Sequence, residues 1–322
     1  MKKNVSNVCM VDTIYTLFLY MIIVGEKKFN ETFFFCSQTM PQEIIEKLNQ
    51  YHCFKFPKQE WGKRLFRIIL FWSAKYRFPF LKYCKIYGGD NYFFSSGIVG
   101  NRKMILIEDG IANYSISSPI LKPSWIKRHL MGPIAAEGSG GISTRVEKII
   151  LTGLSSIPKQ IKEKVEIVSI QQQWNILSEN YKEFILSLFN FSLSMIDTIS
   201  KYDNIFLTQP MAEDGLITKE EEVNLYKRLL EKCNKKSLLI KVHPRDTINY
   251  QEIFPEAYIL NAKIPMEVIT LIGIHYKDVY TVFSTAALSL PYKTNIHFMG
   301  TSVHPNLLKH RGLIEYNVVN KN

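Results

Sequence analysis

Short apolar runs alternate with longer amphipathic stretches from the start of this chain. A strand-like run at Asn4–Met10 precedes the apolar stretch Thr13–Gly25, a second run at Thr32–Ser37 and an amphipathic stretch at Pro41–Tyr51. Apolar runs bounded by turn residues predict buried strands, and helical spacing of apolar residues predicts helices. The opening is therefore β-α-β-α, as in a doubly wound sheet. No glycine-rich phosphate loop follows the first strand, so a dinucleotide-binding motif is absent there.

The same alternation continues to the end of the chain. Further strands are predicted at Asp90–Ser96, Lys103–Ile107, Lys148–Thr152, Val165–Ile170, Asn204–Thr208, Leu238–Val242, Ala257–Leu260, Asp278–Phe283 and Asn295–Met299. Helices are predicted at Trp61–Ala74, Asn175–Ser200, Lys219–Cys233, Pro265–Ile274 and from Ser284 onwards. Pro119–Gly141 is rich in Pro, Gly and Ser, which indicates an irregular surface loop. Because the pattern restarts after the long helix, we predict an α/β protein with two Rossmann-like domains, residues 1–175 and 176–322.

Composition fits a folded protein with an anionic partner. The chain has 322 residues, 46% hydrophobic content and a net charge of +11, so the partner could be nucleic acid, an anionic membrane or a phosphorylated substrate. The five cysteines are odd in number and lack a Cys-x-x-Cys pair, which favours reduced thiols over disulfides or a zinc site. The apolar stretch Thr13–Val24 is shorter than the roughly 20 residues of a spanning helix. We therefore expect a cytoplasmic protein.

Residues 54–87 are both basic and aromatic. Nine Lys and Arg residues face a single acid, Glu60, and large aromatic residues lie between them. One interpretation is a core helix with a solvated basic face. The other is a surface that lies on the anionic inner face of the membrane. No recognisable nucleic-acid-binding module accompanies the segment, so nucleic acid is not expected as a partner.

Two acids directly follow the predicted strand Lys103–Ile107. Glu108 and Asp109 come after its last apolar residue, and Gly110 permits a tight turn. Ligands of open α/β sheets bind at the carboxyl ends of the strands, where a carboxylate can act as general base toward a hydroxyl. Many strands also end in Asp-Gly as plain turns, so this motif alone leaves both interpretations open.

The predicted strand at Leu238–Val242 runs into Lys241-Val-His243-Pro244. A residue before proline favours extended geometry, so His243 should lie at the carboxyl end of the strand, with Lys241 on the same side. Arg245 adds a third cation, and together the three suit an anionic ligand such as a phosphate. A turn with solvated charges is the alternative.

A third strand end carries the adjacent hydroxyls Ser284 and Thr285. With the N–H groups of a helix start they could bind an anion, although an ordinary N-cap is the commoner use of such a pair. Together the three strand ends predict a central cleft, with a nucleotide against the second domain and an acceptor against the first. The chain has no Asp-x-Asp, so a metal-dependent sugar-nucleotide site is not expected. A CMP-sugar carries one phosphodiester, which His, hydroxyls and helix N–H groups can stabilise without a metal.

In this order the three motifs resemble those of bacterial sialyltransferases of the two-Rossmann-domain (GT-B) architecture. The segment Phe206–Ala287 is most similar to glycosyltransferase family 52, with Leu-Thr-Gln-Pro, Lys-Val-His-Pro-Arg-Asp, Ile-Pro-Met-Glu and Val-Phe-Ser-Thr-Ala. The close resemblance covers roughly the last 120 residues, and the first domain matches mainly in strand order and Glu-Asp-Gly. The family's usual aromatic or Thr-Pro-Leu-Gln pattern after the first strand is replaced by Met10-Val-Asp-Thr-Ile-Tyr.

The resemblance implies a role for each matching residue. Asp109 would be the general base for the acceptor hydroxyl, with Glu108 as the alternative, and His243 would contact the CMP phosphate and stabilise the leaving group. The rest of the implied binding set is Ser284 and Thr285 for the phosphate, Glu267 for the ribose hydroxyls, Lys241 by the cytidine, and Gln209, Pro244 and Gly110 beside them.

The implied activity is an inverting sialyl transfer that needs no metal or other cofactor. It would move sialic acid from CMP-Neu5Ac to a terminal galactose of a bacterial surface glycan or lipid-linked acceptor, with an α2,3 linkage. One rival is a transferase for another CMP-activated keto sugar. A rival of another class is a basic protein that binds membrane or nucleic acid without catalysis. The oligomeric state stays open.

Overall fold

The computed structural model describes residues 5–57, 62–114, 124–284, 286–287, 290 and 293–315, and it divides into two compact units. The N-terminal unit spans Met1–Leu188 and the C-terminal unit spans Phe189–Asn322. The division therefore falls after Leu188 rather than after residue 175. The reason is the packing of Tyr181, whose ring lies 6.3 Å from that of Phe29 and whose hydroxyl donates to the carbonyl of Met21.

In the described part of the N-terminal unit, seven parallel strands form one sheet in the order β3-β2-β1-β4-β5-β6-β7. The strands are β1 (Asn7–Val11), β2 (Thr32–Cys36), β3 (Cys53–Lys55), β4 (Lys85–Gly88), β5 (Met104–Ile107), β6 (Val146–Leu151) and β7 (Val165–Ile167). The helices are α1 (Ile14–Asn30), α2 (Gln42–Leu48), α3 (Lys63–Arg77), α4 (Ser95–Val99), α5 (Trp125–Met131), α6 (Pro133–Glu137), α7 (Ile170–Asn175) and α8 (Glu179–Leu188).

The C-terminal unit has a smaller parallel sheet, with the described strands in the order β10-β9-β8-β11-β12. These are β8 (Asn204–Leu207), β9 (Leu238–Lys241), β10 (Tyr258–Leu260), β11 (Asp278–Thr281) and β12 (Asn295–Phe298). The helices are α9 (Leu193–Ile199), α10 (Lys219–Leu229), α11 (Tyr250–Ile253), α12 (Met266–Leu271) and α13 (Pro305–Arg311). The predicted α/β class with two Rossmann-like sheets is confirmed.

The strand order reverses once in each sheet, between β1 and β4 in the first and between β8 and β11 in the second. Ligands of open α/β sheets bind outside the carboxyl ends of the strands at such a switch point. Each unit therefore offers one topologically favoured binding edge.

The N-terminal core is dominated by phenylalanine. Phe35 contacts the rings of Phe54, Phe56 and Phe78 at centroid distances of 4.8–6.3 Å. Full burial of one such side chain stabilises the fold by about 1.5–3 kcal/mol. This aromatic packing joins β2 and β3 to Phe78, the residue that caps the end of α3.

The strand predicted at Asp90–Ser96 is wrong. The strand at this place in the sheet is β4, and α4 starts at Ser95. Asp90 is buried, and its carboxylate accepts hydrogen bonds from the amides of Gly140 (2.9 Å) and Gly141 (2.8 Å). Its aromatic neighbours pack inward from a turn, so their apolar pattern was mistaken for strand alternation. The same bonds anchor the Gly140–Gly141 turn to the core.

Two other predicted elements differ from the structure. The predicted loop 119–141 contains α5 and α6 in its described part. The predicted helix Asn175–Ser200 is interrupted, because Asn190 has a positive φ of 56° and Ser192 caps a new helix, α9. The helix predicted to end at Gly25 bends there, at a φ of 71°, and α1 continues to Asn30.

Across the described segments, no helix combines the length and the apolar character that crossing a bilayer requires.

Candidate active site

Asp109 lies just beyond the carboxyl end of β5 and is held by two hydroxyls from the β1–α1 turn. Its Oδ1 accepts hydrogen bonds from Thr13 (2.6 Å) and Thr16 (2.8 Å), and its backbone N–H donates to Asn113 Oδ1 (2.6 Å). No described residue donates a hydrogen bond to Oδ2. One carboxylate oxygen therefore fixes the orientation, and the other is left to accept a proton.

The turn that presents these hydroxyls is specified locally. Thr13 is the N-cap of α1, and its side chain accepts from the amide of Thr16 at 3.1 Å. The same threonine pair therefore starts the helix and binds Asp109. On the other side, Gly110 has a φ of 105°, a conformation that L side chains rarely adopt, so glycine suits the turn after the acid.

Burial raises the pKa of the Asp109 carboxyl above its ordinary value, and the negative charge of Asp12 adds to the rise. The hydrogen bonds from Thr13 and Thr16 oppose it. A carboxylate with a raised pKa is a better proton acceptor near neutral pH. The electrostatics therefore suit a general base.

Glu108, the other acid of the pair, is fully buried and saturated with hydrogen bonds. Its Oε1 accepts from the hydroxyls of Tyr15 (2.8 Å) and Thr152 (2.9 Å). Its Oε2 accepts from the Tyr114 hydroxyl and the Thr152 amide, both at 2.6 Å. These bonds tie the ends of β5 and β6 together. Glu108 thus braces the site and has no oxygen left for a substrate.

Tyr92 also faces Asp109. Its hydroxyl is buried and has no hydrogen-bond partner among the described residues. Burial raises the pKa of this phenol, and the charge of Asp109 raises it further. A buried donor without a partner is rare in native proteins, so Tyr92 is a candidate contact for a substrate hydroxyl or for Oδ2 itself.

His243 follows β9 in the C-terminal unit. Its backbone N–H donates to Thr208 Oγ1 (2.9 Å), and its Nδ1 accepts from the amide of Arg245 (3.2 Å). Because Nδ1 is an acceptor, the neutral ring carries its proton on Nε2, which is then a hydrogen-bond donor. Burial lowers the pKa of His243 to about 4, and the charges of Arg245 and Lys241 contribute. The imidazole is therefore neutral at pH 7 before any anion binds.

Lys241 is the last residue of β9. Burial lowers the pKa of its ammonium to about 8, and the charge of Glu267 limits the drop. Glu267 lies in the first turn of α12, where a helix N-terminus favours a negative charge. Lys241 therefore lies within electrostatic range of both Glu267 and His243. Their assignment to one nucleotide site stays a prediction.

Gln209 bridges the switch point of the second sheet. It follows β8, and its side-chain oxygen accepts from the amide of Phe283 beyond the end of β11 (2.8 Å). The amide of Ser284 donates to Thr281 Oγ1 (3.0 Å), which tightens the turn after β11. Ser284 therefore sits at the predicted strand end. Thr285 lies outside the described residues.

Two further residues near His243 have structural partners. Arg245 pairs with Asp214, which also binds Arg311, so its guanidinium is engaged in an ion pair. Pro244 lies in a turn closed by the hydrogen bond from the Asp246 amide to the His243 carbonyl (3.0 Å). Of the three cations predicted to suit an anion, Lys241 and His243 are therefore the remaining candidates.

The residues that orient the predicted ones were not evident from the sequence. Thr13, Thr16 and Tyr92 surround Asp109, and Thr208 fixes His243. Among them, only Thr13 had a local signal in the sequence, because it lies in the Asp-Thr turn after the first strand and is a favourable N-cap residue. The other contacts join residues far apart in the chain, so spacing could not reveal them.

Comparisons with known proteins identify the family of this chain. A model of glycosyltransferase family 52 matches residues 91–307, a span that includes both Asp109 and His243. An uncharacterised protein of Haemophilus influenzae is 35% identical over 231 residues, which are 72% of this chain and 73% of that protein.

Two solved structures share the fold over 91% of this chain. One is an α/β-galactoside α-2,3-sialyltransferase of Photobacterium phosphoreum, with a TM-score of 0.60, 14% identity and 89% of its chain covered. The other is a 2,6-sialyltransferase of Photobacterium sp. JT-ISH-224, with a TM-score of 0.61, 13% identity and 71% of its chain covered. At these identities they establish the architecture alone. With the family model matching most of the sequence, the chain belongs to glycosyltransferase family 52.

Proposed function

We propose that this glycosyltransferase moves sialic acid from CMP-sialate to a terminal galactose of a bacterial surface glycan or lipid-linked precursor. The observation that carries the proposal is Asp109. It is a buried carboxylate with a raised pKa, oriented through one oxygen and open at the other. That is the arrangement a general base needs toward an acceptor hydroxyl.

In the proposed reaction, the acceptor oxygen attacks the anomeric carbon of sialate from the face opposite the cytidylate. The new C–O bond forms as the bond to the phosphate oxygen breaks, and the acceptor proton passes to Asp109 Oδ2. The cytidylate leaves with the bonding electron pair, and the configuration inverts. Thr13 and Thr16 hold Asp109 in place, and Glu108 keeps the ends of β5 and β6 fixed around it.

His243 is proposed to stabilise the leaving cytidylate. Its Nε2–H would donate to the phosphate, and the phosphate charge would raise the pKa of the imidazole toward neutrality. We assign the phosphate also to Ser284 and Thr285, the ribose hydroxyls to Glu267, and the cytidine to Lys241. Gln209 supports this edge by joining the ends of β8 and β11.

A CMP donor and a galactose-containing acceptor have support from a structural relative. The 2,6-sialyltransferase of Photobacterium sp. JT-ISH-224 was solved with CMP and lactose. The linkage we propose here is α2,3. Because the relatives include both an α2,3 and a 2,6 enzyme, product analysis with linkage-specific sialidases is the appropriate test.

We also propose that the reaction needs no metal. The sequence lacks Asp-x-Asp, and a single phosphodiester asks for less charge compensation than a diphosphate. Lys241, His243 and backbone N–H groups can supply that compensation.

The decisive experiment incubates the full chain with CMP-Neu5Ac and lactose and measures released CMP and sialyl-lactose, with and without EDTA. We expect acceptor-dependent turnover that EDTA leaves unchanged. CMP-Kdo in place of CMP-Neu5Ac tests the rival donor, and turnover with CMP-Kdo alone would change the donor assignment. No turnover with any CMP-sugar across a panel of galactosides, while the protein binds nucleic acid in a salt-sensitive way, would contradict the proposal.

A further inference from the structure

The helix α3 has apolar residues on two sides. Leu70 and Ala74 are buried in the core of the N-terminal unit. A second stripe is between 43% and 78% exposed and consists of Leu65, Ile69, Trp72 and Tyr76. Steps of four, three and four residues place these side chains along one line of the helix. A helix that is apolar on both sides calls for an apolar environment beyond its own core.

The helix α5 extends this exposed surface. The Trp72 ring lies 5.5 Å from the His129 ring of α5. No residue of α5, all of which is described, is buried, and Trp125 is 76% exposed. Ile126 and Leu130 are exposed as well. We call the outward-facing side chains of α3 and α5 the α3–α5 surface.

The charge around the α3–α5 surface has one sign. Residues 62–89 and 124–136 contain no Asp or Glu. The cations of these segments are Lys63, Arg64, Arg67, Lys75, Arg77, Lys82, Lys85, Lys127 and Arg128. Glu137, which ends α6, pairs with Arg128 and is itself turned inward, with 7% of its side chain exposed. The apolar stripe is therefore flanked by positive charge.

A cavity of about 610 Å³ opens between the two helices. Its lining includes Trp72, Lys75, Arg102, Trp125 and His129. The Nη2 of Arg102 donates to the Ile98 carbonyl, which holds this guanidinium at the cavity wall. The aromatic walls and the cations suit a phosphate headgroup.

We propose that the α3–α5 surface docks the N-terminal unit on an anionic lipid bilayer. The apolar stripe and Trp125 would enter the boundary between headgroups and acyl chains, and Lys75 and its neighbours would contact anionic headgroups. Exposed Trp and Tyr beside Lys and Arg, with no acid between them, are typical of a membrane interface. The surface is independent of the donor, so this inference stands or falls separately from the proposed function.

The test is sedimentation of the full chain with vesicles of phosphatidylcholine alone or with about 30% phosphatidylglycerol. We expect binding to the anionic vesicles that weakens with salt. The double variant Ile69→Glu/Trp72→Glu should weaken binding at least tenfold. Lys75→Ala should weaken it about fivefold at low salt and much less at high salt.

Matched controls separate the surface from general stickiness. Ile176→Glu changes an equally exposed apolar residue of the same unit, and Lys162→Ala changes an exposed lysine outside the surface. Neither should alter vesicle binding. The circular dichroism spectrum and the thermal unfolding midpoint should be unchanged in all four variants, which verifies folding independently of the proposed activity.

Three results would overturn the proposal: no binding to anionic vesicles, equal binding by Ile69→Glu/Trp72→Glu, or a stable oligomer of the wild type that this variant converts to a monomer. The last would assign the surface to a second copy of the chain.

Discussion

The strands β5 and β9 belong to two parallel sheets of similar topology. The residues at their carboxyl ends have opposite electrostatic character. After β5, a carboxylate is held by hydroxyl donors, and burial raises its pKa. After β9, a histidine and a lysine are buried beside each other, and burial lowers the pKa of both. The first arrangement is poised to accept a proton. The second is stabilised when an anion binds beside its cationic groups.

The two sites also differ in how complete they are. Asp109 and Glu108 together accept seven side-chain and backbone hydrogen bonds shorter than 3.1 Å from five residues of the N-terminal unit. Burial disfavours the charged forms of both Lys241 and His243, and Glu267 offsets only part of that cost for Lys241. A general base must be held in position before the substrate binds. In a phosphate site, the negative charge of the ligand itself can balance the cations. The following variants test this contrast.

Asp109→Asn should have the largest effect. The amide cannot take the acceptor proton, so we expect kcat to fall by about 10²–10⁴-fold. The affinity for CMP, measured by isothermal titration calorimetry, should change less than about twofold because the nucleotide is assigned to the other unit. Wild-type-like turnover in this variant would remove Asp109 from the chemistry.

Glu108→Gln is the matched control for that change. The amide group of glutamine would face the donors Tyr114 and Thr152. We therefore expect a loss of about 2–4 kcal/mol in the free energy of unfolding. At a temperature where the variant is folded, turnover should persist. A loss of turnover as large as that of Asp109→Asn, without a change in stability, would make Glu108 the base.

His243→Gln should reduce kcat/KM by about 10–100-fold, because the phosphate loses an aligned donor. CMP affinity should fall with it. His304→Gln is the natural control, since His304 also precedes a proline and its Nδ1 also accepts an amide two residues on. His304 pairs with Glu221 in α10 rather than with Lys241, so its loss should leave kcat/KM unchanged. Equal losses in both variants would contradict the phosphate assignment.

The sequence predicted these strand-end residues but could not rank them. Glu108 and Asp109 are adjacent acids with the same local signal. What separates them is Thr13 and Thr16 on one side and Thr152 on the other, from 44 to 96 residues away. Such partners are set by the register of the sheet, which a single sequence does not display.

The prediction of secondary structure from the sequence succeeded where apolar runs were short and bounded by turns. It failed at Asp90–Ser96 because buried aromatic residues in a turn imitate strand alternation. It also failed at Asn175–Ser200, where the helical spacing of apolar residues is continuous but the backbone helix is interrupted. The α3–α5 surface was half predicted: the basic and aromatic character of α3 was evident, but α5 lay in a segment interpreted as a loop.

The pH dependence of CMP binding sharpens the contrast between the two sites. Without ligand, Lys241 has a pKa of about 8. A bound nucleotide that accepts from the ammonium should raise this pKa, so binding takes up a proton above pH 8. Apparent affinity should then fall by up to about tenfold per pH unit above that point. Calorimetry in buffers of different ionisation enthalpy measures the uptake, and Lys241→Met should abolish both the uptake and the slope.

Tyr92→Phe should have the smallest effect. Tyr92 lies close enough to Asp109 to lower the pKa of its carboxyl, so removal of the hydroxyl should raise that pKa and move the acid limb of the kcat profile to higher pH. Because the hydroxyl makes no hydrogen bond of good geometry with a described residue, removing it should not cost stability. We expect kcat at neutral pH to change by only a few fold. If KM for lactose rises instead while the pH profile stays fixed, Tyr92 contacts the acceptor rather than the base.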